Sequence, residues 1–238
     1  MKGFFDCFSG FGLIFGSGIK RFVLIPFAIN IGLFSLAGKL LSDQLDAWLE
    51  KLLPGWLSWL EWLIWPLFAI AMFLIVFYTF TVIANLISAP FNSLLSARIE
   101  ASLTWKKPED INSEKFVRLM MRTLKSEIQT ILYAIKWFMP LIIITIIPAV
   151  NLVAPFLWIL FAAWFFTLEY SDYPLANRGQ FFDEVKSYNQ KNRLRTLGFG
   201  TGVFIITSIP IVNFFAMPVA VAGATKLTTK IEQNTNPV

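Results

Sequence analysis

Four long blocks of this chain carry almost no charge, and they constrain the fold more than any other feature. Residues 62–97, 137–168 and 196–225 contain no Asp, Glu, Lys or Arg, and residues 22–42 contain a single Lys. Each block exceeds the roughly 18 apolar residues that indicate a membrane segment. Charged residues make up 15% of the chain, against about 25% in a typical soluble domain. The sequence therefore predicts an all-α integral membrane protein with one membrane domain, residues 1–238.

Blocks 22–42 and 62–97 predict long spanning helices, whereas blocks 137–168 and 196–225 are interrupted near the middle. Each interruption is a Pro-x-Val-Asn motif, from Pro148 to Asn151 and from Pro210 to Asn213. Proline breaks a helix, and Asn needs hydrogen-bond partners away from lipid. The apolar arm before each motif would rise only about 16–18 Å, against about 30 Å of hydrocarbon. The sequence predicts two hairpins that enter the membrane partway and carry these asparagines at their tips.

The distribution of basic residues agrees with such hairpins. If both return to the side they entered from, all of the 20 Lys and Arg except Lys39 and Lys51 lie on one face. The positive-inside rule makes that face cytoplasmic and places both termini there. Residues 98–136 carry an apolar stripe opposite basic residues, which predicts an amphipathic helix on the cytoplasmic side.

Polar residues near the end of the second block share one face of the predicted helix. Asn85, Ser88 and Asn92 are spaced by three and four residues and lead to Arg98 and Glu100. Polar groups inside a membrane often line a transport pathway. The alternative is that they hydrogen-bond to neighbouring helices and only hold the helices together. The sequence leaves both interpretations open.

The chain offers little for catalysis. It contains no His and only Cys7, so no Ser-His or Cys-His pair and no Cys/His metal site can form. No nucleotide-binding motif is present. Glu169 and Asp172 border the third block and are expected to pair with an arginine rather than to act as acid and base, with Arg98, Arg178 and Arg195 as candidates. We expect a protein that is not an enzyme, needs no cofactor or metal and binds membrane lipids rather than nucleic acid.

A glycine-rich loop precedes the first spanning helix and ends in Lys20 and Arg21. Exposed N–H groups and the positive end of the helix dipole would attract an anion there. The alternative is that the two cations only anchor the helix at the cytoplasmic surface.

Several segments together resemble the CysZ family of bacterial sulfate permeases. They are residues 18–22 with Pro26 and Asn30, residues 85–92 with Leu94 and Leu95, Arg98 with Glu100, residues 169–174, and residues 209–220. The resemblance follows the chain in order over nearly its whole length.

The resemblance implies sulfate uptake through the bacterial inner membrane for cysteine synthesis, by a multi-pass homo-oligomer of two or more subunits that does not hydrolyse ATP. It also implies that sulfate binds the loop Gly18, Ile19, Lys20 and Arg21, although Lys20 stands where the family usually has arginine. The transport path would include Asn85, Asn92, Asn151 and Asn213. The rival function is a membrane scaffold or assembly factor without transport activity.

Overall fold

The computed structural model describes residues 2–16, 19–52, 61–104, 113–213 and 215–235, and all regular structure in these ranges is helical. The elements are α1 (Lys2–Ile14), α2 (Lys20–Leu52), α3 (Glu61–Thr104), α4 (Ser113–Ile146), a 3-10 turn (Val150–Val153), α5 (Ala154–Asn177), α6 (Phe182–Lys191), α7 (Arg193–Ser208), α8 (Pro210–Asn213) and α9 (Ala216–Thr235). The prediction of an all-α protein is confirmed for this part of the chain.

Three segments in the described ranges are long and apolar enough to cross a membrane: Lys20–Leu40, Lys125–Ile146 and Val150–Asn177. Gly3–Ile14 and Pro66–Thr79 are shorter apolar helices. Large apolar side chains remain exposed on these helices, for example Leu24, Leu132 and Phe156. Such surfaces suit lipid as the solvent, and the chain is a membrane protein.

The chain divides into two compact units, Met1–Lys20 with Asn92–Val238, and Arg21–Phe91. The second unit contains α2 from Arg21 onward and α3 as far as Phe91. Phe34 of α2 lies against Phe77 of α3, with ring centroids 5.7 Å apart. This unit includes the predicted block 22–42 and most of the predicted block 62–97.

The first unit is a bundle in which α1 packs against α7 and α9, and α5 packs against α7 and α9. Glycines permit very close approach. A Cβ on Gly10 would lie 2.1 Å from the carbonyl oxygen of Val219, and a Cβ on Gly200 would lie 1.8 Å from that of Ala163. Backbones this close are typical of helix packing in membranes, where small residues form the interfaces.

Both Pro-x-Val-Asn motifs mark places where the helical path is broken. Helix α4 ends at Ile146, just before Pro148, because proline lacks an N–H and disfavours a helical residue before it. The turn continues through Ala149, which has a φ of 69°. Trp158 Nε1 then donates to Thr145 Oγ1 at 3.0 Å, so α5 lies beside α4 after the turn.

The arms of the first hairpin are longer than the sequence indicated. Helix α4 is continuous from Ser113 to Ile146, so residues 113–136 of the predicted amphipathic region and the arm that begins at Trp137 form one helix. The physical reason is that the apolar stripe keeps its helical spacing across Lys136, which a long exposed side chain can accommodate. The length argument for partial penetration therefore fails for this hairpin, and partial penetration stays a prediction.

Candidate functional site

The last three turns of α3 are held to α5 and α9 by polar side chains. Ser93 Oγ donates to Asn177 Oδ1 at 2.6 Å, and Asn177 Nδ2 donates to the Ser93 carbonyl oxygen at 2.9 Å. One turn further on, Ser96 Oγ and Thr225 Oγ1 are 2.9 Å apart in a buried hydrogen bond. Ser93 and Ser96 therefore have hydrogen-bond partners on neighbouring helices. This agrees with the alternative that polar residues of α3 hold the helices together.

Arg178 forms an ion pair with Glu100 near the end of α3. Arg178 Nε donates to Glu100 Oε1 at 3.0 Å, and Arg178 Nη1 also forms an ion pair with Glu232. Tyr188 lies close by, and its hydroxyl donates to the Thr228 carbonyl oxygen at 3.3 Å. Burial, reinforced by the negative charge of Glu232, raises the pKa of the Tyr188 phenol. Glu100 is thus held in an ion pair at the ends of α3, α5 and α9.

Asn92 behaves differently from its neighbours. The residue is only 4% exposed, and its buried Nδ2 meets no acceptor of the described residues at full hydrogen-bond geometry. Its side chain lies next to that of Tyr173 on α5. A buried N–H group whose contact with the Tyr173 hydroxyl falls outside full hydrogen-bond geometry is poorly satisfied, so this donor can also bind an acceptor from a ligand.

Carboxylates gather on the neighbouring faces of α4 and α5. Ser126 Oγ donates to Asp172 Oδ1 at 3.0 Å, and Glu127 lies near enough to Glu169 and Asp172 to interact with both charges. The expectation that Glu169 and Asp172 pair with Arg98, Arg178 or Arg195 is not met among the described residues, in which Arg178 forms its ion pairs with Glu100 and Glu232. In the described ranges, no group of three or more His, Cys, Asp or Glu is placed to hold a metal ion.

The predicted sulfate loop includes the sequence boundary between the two units, which falls between Lys20 and Arg21. Gly18 lies outside the described residues. Ile19 is buried, and Lys20 is exposed at the first position of α2. Arg21 is also exposed, and its guanidinium carbon lies 4.9 Å from the centroid of the Phe22 ring. Both cations are accessible. Recruitment of an anion and anchoring of the helix at the membrane surface both require this accessibility.

The remaining predicted residues are spread along the chain. Ser88 is buried, and Arg98 is exposed. Asn151 is exposed in the 3-10 turn between α4 and α5, and Asn213 is exposed at the end of α8. The side chain of Asn85 lies outside the described residues. The structure thus joins Glu100 to Arg178 and sets Asn92 beside Tyr173, and it brings neither tip asparagine into these contacts.

The sequence indicated the polar face of α3 but not the residues of other helices that contact it. Tyr173 and Asn177, one turn apart on α5, are the residues that meet Asn92 and Ser93. Their four-residue spacing was the only local signal that they share a face. Thr225 and Glu232 come from a helix more than 120 residues further along the chain, and no sequence pattern indicates that pairing.

Comparison with known proteins decides the family. The profile of the family described as "Sulfate transporter CysZ/Etoposide-induced protein 2.4" matches residues 6–218. The chain belongs to this family. The match begins within α1, includes the predicted loop, Asn92 and Tyr173, and ends within the first turn of α9.

Curated relatives in this family are similar over most of their length. The chain is 38% identical to the sulfate transporter CysZ of Pseudomonas syringae pv. tomato over 221 residues, which is 91% of this chain and 87% of that protein. It is 37% identical to the protein of the same name from Pseudomonas paraeruginosa, over 91% of this chain and 90% of the relative. The member from Pseudomonas fluorescens is 36% identical over 223 residues, or 91% of this chain and 88% of that protein. The resemblance drawn from the sequence is therefore confirmed at the level of the family.

Proposed function

We propose that this protein is a permease or channel that carries sulfate through the bacterial inner membrane and supplies cysteine biosynthesis. Its relatives are named sulfate transporters, and the three span-length helical segments found among the described residues suit a membrane location. The protein would act without a cofactor and without chemistry on the ion.

The observation that carries this proposal is the buried amide of Asn92. An ion that crosses hydrocarbon must exchange its water for protein dipoles, and it must be held weakly enough to leave. Asn92 Nδ2 supplies a buried N–H donor that no described residue satisfies at full hydrogen-bond geometry. A sulfate oxygen accepts hydrogen bonds, and an amide binds it without the full charge that would trap it. Asn92 and Tyr173 would therefore form the cytoplasmic step of the path, where the ion begins to lose its water, and Asn85 and Ser88 precede Asn92 on the same helix.

Recruitment of the anion is assigned to Lys20 and Arg21. Both are exposed, and Lys20 begins a long helix. The first N–H groups of a helix lack partners within it, and the dipole there is positive. Two cations beside such groups raise the local concentration of a dianion. Gly18 and Ile19 complete the proposed loop.

Partial penetration of the hairpins is part of the proposal. Lys136 is exposed and lies ten residues before the end of α4, which is about 15 Å along a helix. If α4 spanned the bilayer up to its tip, this charge would lie near the midplane, where a lysine costs about 2.5–3.5 kcal/mol. A tip that stops partway places Lys136 at the surface instead, and Asn151 and Asn213 then lie at the depth where the ion needs polar groups.

A homo-oligomer fits the exposed apolar surface. Ile128, Leu132 and Ile135 on α4 and Phe156 on α5 are all more than half exposed. Tips that carry Asn also need protein or water around them rather than lipid. Neighbouring subunits would supply such surroundings and close the path.

The direct test is sulfate flux into liposomes that contain only this protein. We expect uptake of labelled sulfate well above that of empty liposomes and of liposomes with Asn92→Asp protein. Competition by sulfite, thiosulfate and molybdate would define the selectivity. Absence of flux from correctly folded, oriented protein would favour a membrane scaffold or assembly factor.

A further inference from the structure

An open groove of about 600 Å³ runs along the first hairpin. Its walls are apolar residues of α4 and α5, among them Trp137, Ile144, Leu160 and Phe161, and its polar lining comes from Gln190 and Arg193 at the junction of α6 and α7. The volume is within the range that binds a single small ligand. The groove belongs wholly to the first unit and contains none of the residues assigned to sulfate.

Positive charge is concentrated at one end of the groove. Lys186, one turn before Gln190, lies with its Nζ 4.5 Å from the centroid of the Tyr133 ring, and Tyr133 lines the groove. Arg193, which also lines the groove, is exposed. Lys136 follows Tyr133 by one turn and is exposed on the adjoining face of α4. Of the described residues that line the groove, none is acidic.

The opposite end of the groove is apolar. The lining residues Pro140, Ile144 and Leu157 approach the turn at residues 147–153, away from the Tyr133 end. From Tyr133 to Ile144 the helix rises about 16 Å. One end therefore suits a negatively charged group and the rest suits a hydrocarbon chain.

We propose that this groove is a binding site for one anionic phospholipid, with an acyl chain between α4 and α5 and its phosphate at Arg193 and Lys186. Basic pockets between membrane helices on the cytoplasmic side bind such head groups. The groove opens beside exposed apolar side chains such as Leu160 and Ile159, so a lipid can enter from the bilayer. Such a lipid would brace α4 and α5 against α6 and α7.

The test is native mass spectrometry of the full-length protein in detergent with defined lipids. Dioleoyl phosphatidylglycerol is the anionic probe, and dioleoyl phosphatidylcholine is its zwitterionic match. We expect the protein to retain one phosphatidylglycerol per subunit more strongly than phosphatidylcholine. Arg193→Ala should weaken phosphatidylglycerol binding about fivefold and leave phosphatidylcholine binding nearly unchanged.

Two further variants make the test specific. Lys191→Ala removes an exposed cation two residues from Arg193 that does not line the groove, and it should retain lipid as the unmodified protein does. Leu160→Trp fills the apolar part from an exposed position and should release both lipids. Leu160 is more than half exposed, so this change leaves the buried core intact.

Several outcomes would overturn the proposal. Equal retention of the two lipids would show that charge does not select the ligand. Equal losses in Arg193→Ala and Lys191→Ala would assign the effect to net charge alone. If Leu160→Trp changes the number of subunits but not the retained lipid, a second copy of the chain covers the groove instead.

Discussion

Arg178 Nε donates to Glu100 Oε1 across 3.0 Å and so joins the end of α5 to the end of α3. The two side chains are only 17% and 25% exposed, and the same guanidinium also binds Glu232 and lies 3.4 Å from Thr229 Oγ1. One arginine therefore holds three helices that are far apart in the sequence.

Removal of this arginine should destabilise the protein. Arg178→Leu leaves Glu100 without its partner, and we expect a loss of about 2–3 kcal/mol in the free energy of unfolding. Arg178→Lys keeps one charge but loses the forked geometry, so its loss should be intermediate. Thermal unfolding in detergent measures both. Arg98→Leu removes an exposed arginine two residues from Glu100 and serves as the control; an equal loss there would contradict the assigned role.

Asn92 should matter for flux more than for folding. Among the described residues its Nδ2 meets no acceptor at full hydrogen-bond geometry and contacts only the Tyr173 hydroxyl outside it, so Asn92→Ala removes a donor that contributes little to folding. We expect sulfate flux in liposomes to fall by about tenfold, the value of one charge-assisted hydrogen bond. Asn92→Asp should lower the flux further, because it replaces the donor by a negative charge that repels sulfate.

Ser93 provides the matched control for Asn92. Its side chain is bonded to Asn177, so Ser93→Ala should lower the unfolding temperature slightly and leave the flux close to normal. If the two alanine variants lose flux equally, the polar face of α3 is a packing surface and Asn92 has no direct contact with the ion.

Lys20 and Arg21 are expected to determine sulfate binding. Replacement of both by Ala should abolish binding of sulfate to purified protein, since it removes both exposed cations of the loop. Arg21→Lys should bind more weakly than the unmodified protein, because lysine cannot grip two oxygens at once. Isothermal titration measures these affinities. Lys125→Ala with Lys191→Ala changes the net charge equally at two other exposed positions, and unchanged binding in the Lys20/Arg21 variant would remove the loop from the site.

The sequence predicted the helical class, the two turns and the polar face, because these depend on local features. Uncharged blocks, Pro-x-Val-Asn motifs and spacings of three or four residues act within a few turns of one helix. The partners Arg178–Glu100 and Ser96–Thr225 depend on how distant helices pack, which residue spacing does not encode. The continuous α4 was missed for a related reason: Lys136 looked like a boundary, although a long lysine side chain does not interrupt a helix.

Gly200 should be intolerant of any side chain. A Cβ there would lie 1.8 Å from the Ala163 carbonyl oxygen and 2.5 Å from Thr167 Oγ1. Gly200→Ala should therefore force α7 away from α5 and cost about 1–3 kcal/mol or more in the free energy of unfolding. Gly12→Ala is the matched control, since a Cβ on Gly12 of α1 meets nothing within 4 Å. That change should stabilise the helix by up to about 1 kcal/mol, and a similar loss in both variants would contradict the proposed close packing.

The depth of the first hairpin can be measured by labelling single cysteines with a maleimide that does not cross the membrane. Cys7 is buried, so the unmodified protein should give little background. Ser187 is at an exposed position of α6, so Ser187→Cys should react only from the cytoplasmic side, whereas Lys51→Cys should react only from outside.

Asn151→Cys then separates the two depths. A tip that stops partway is shielded from both bulk phases, so this cysteine should react slowly from either side. A tip that crosses the bilayer reacts quickly from outside, and Lys136 must then bear the cost of lying at mid-membrane. Fast labelling from outside at Asn151 would exclude partial penetration but keep both hairpin ends cytoplasmic. Labelling of Ser187→Cys from outside would reverse the orientation of the segment between α5 and α7, and the transport path built on that orientation would fail with it.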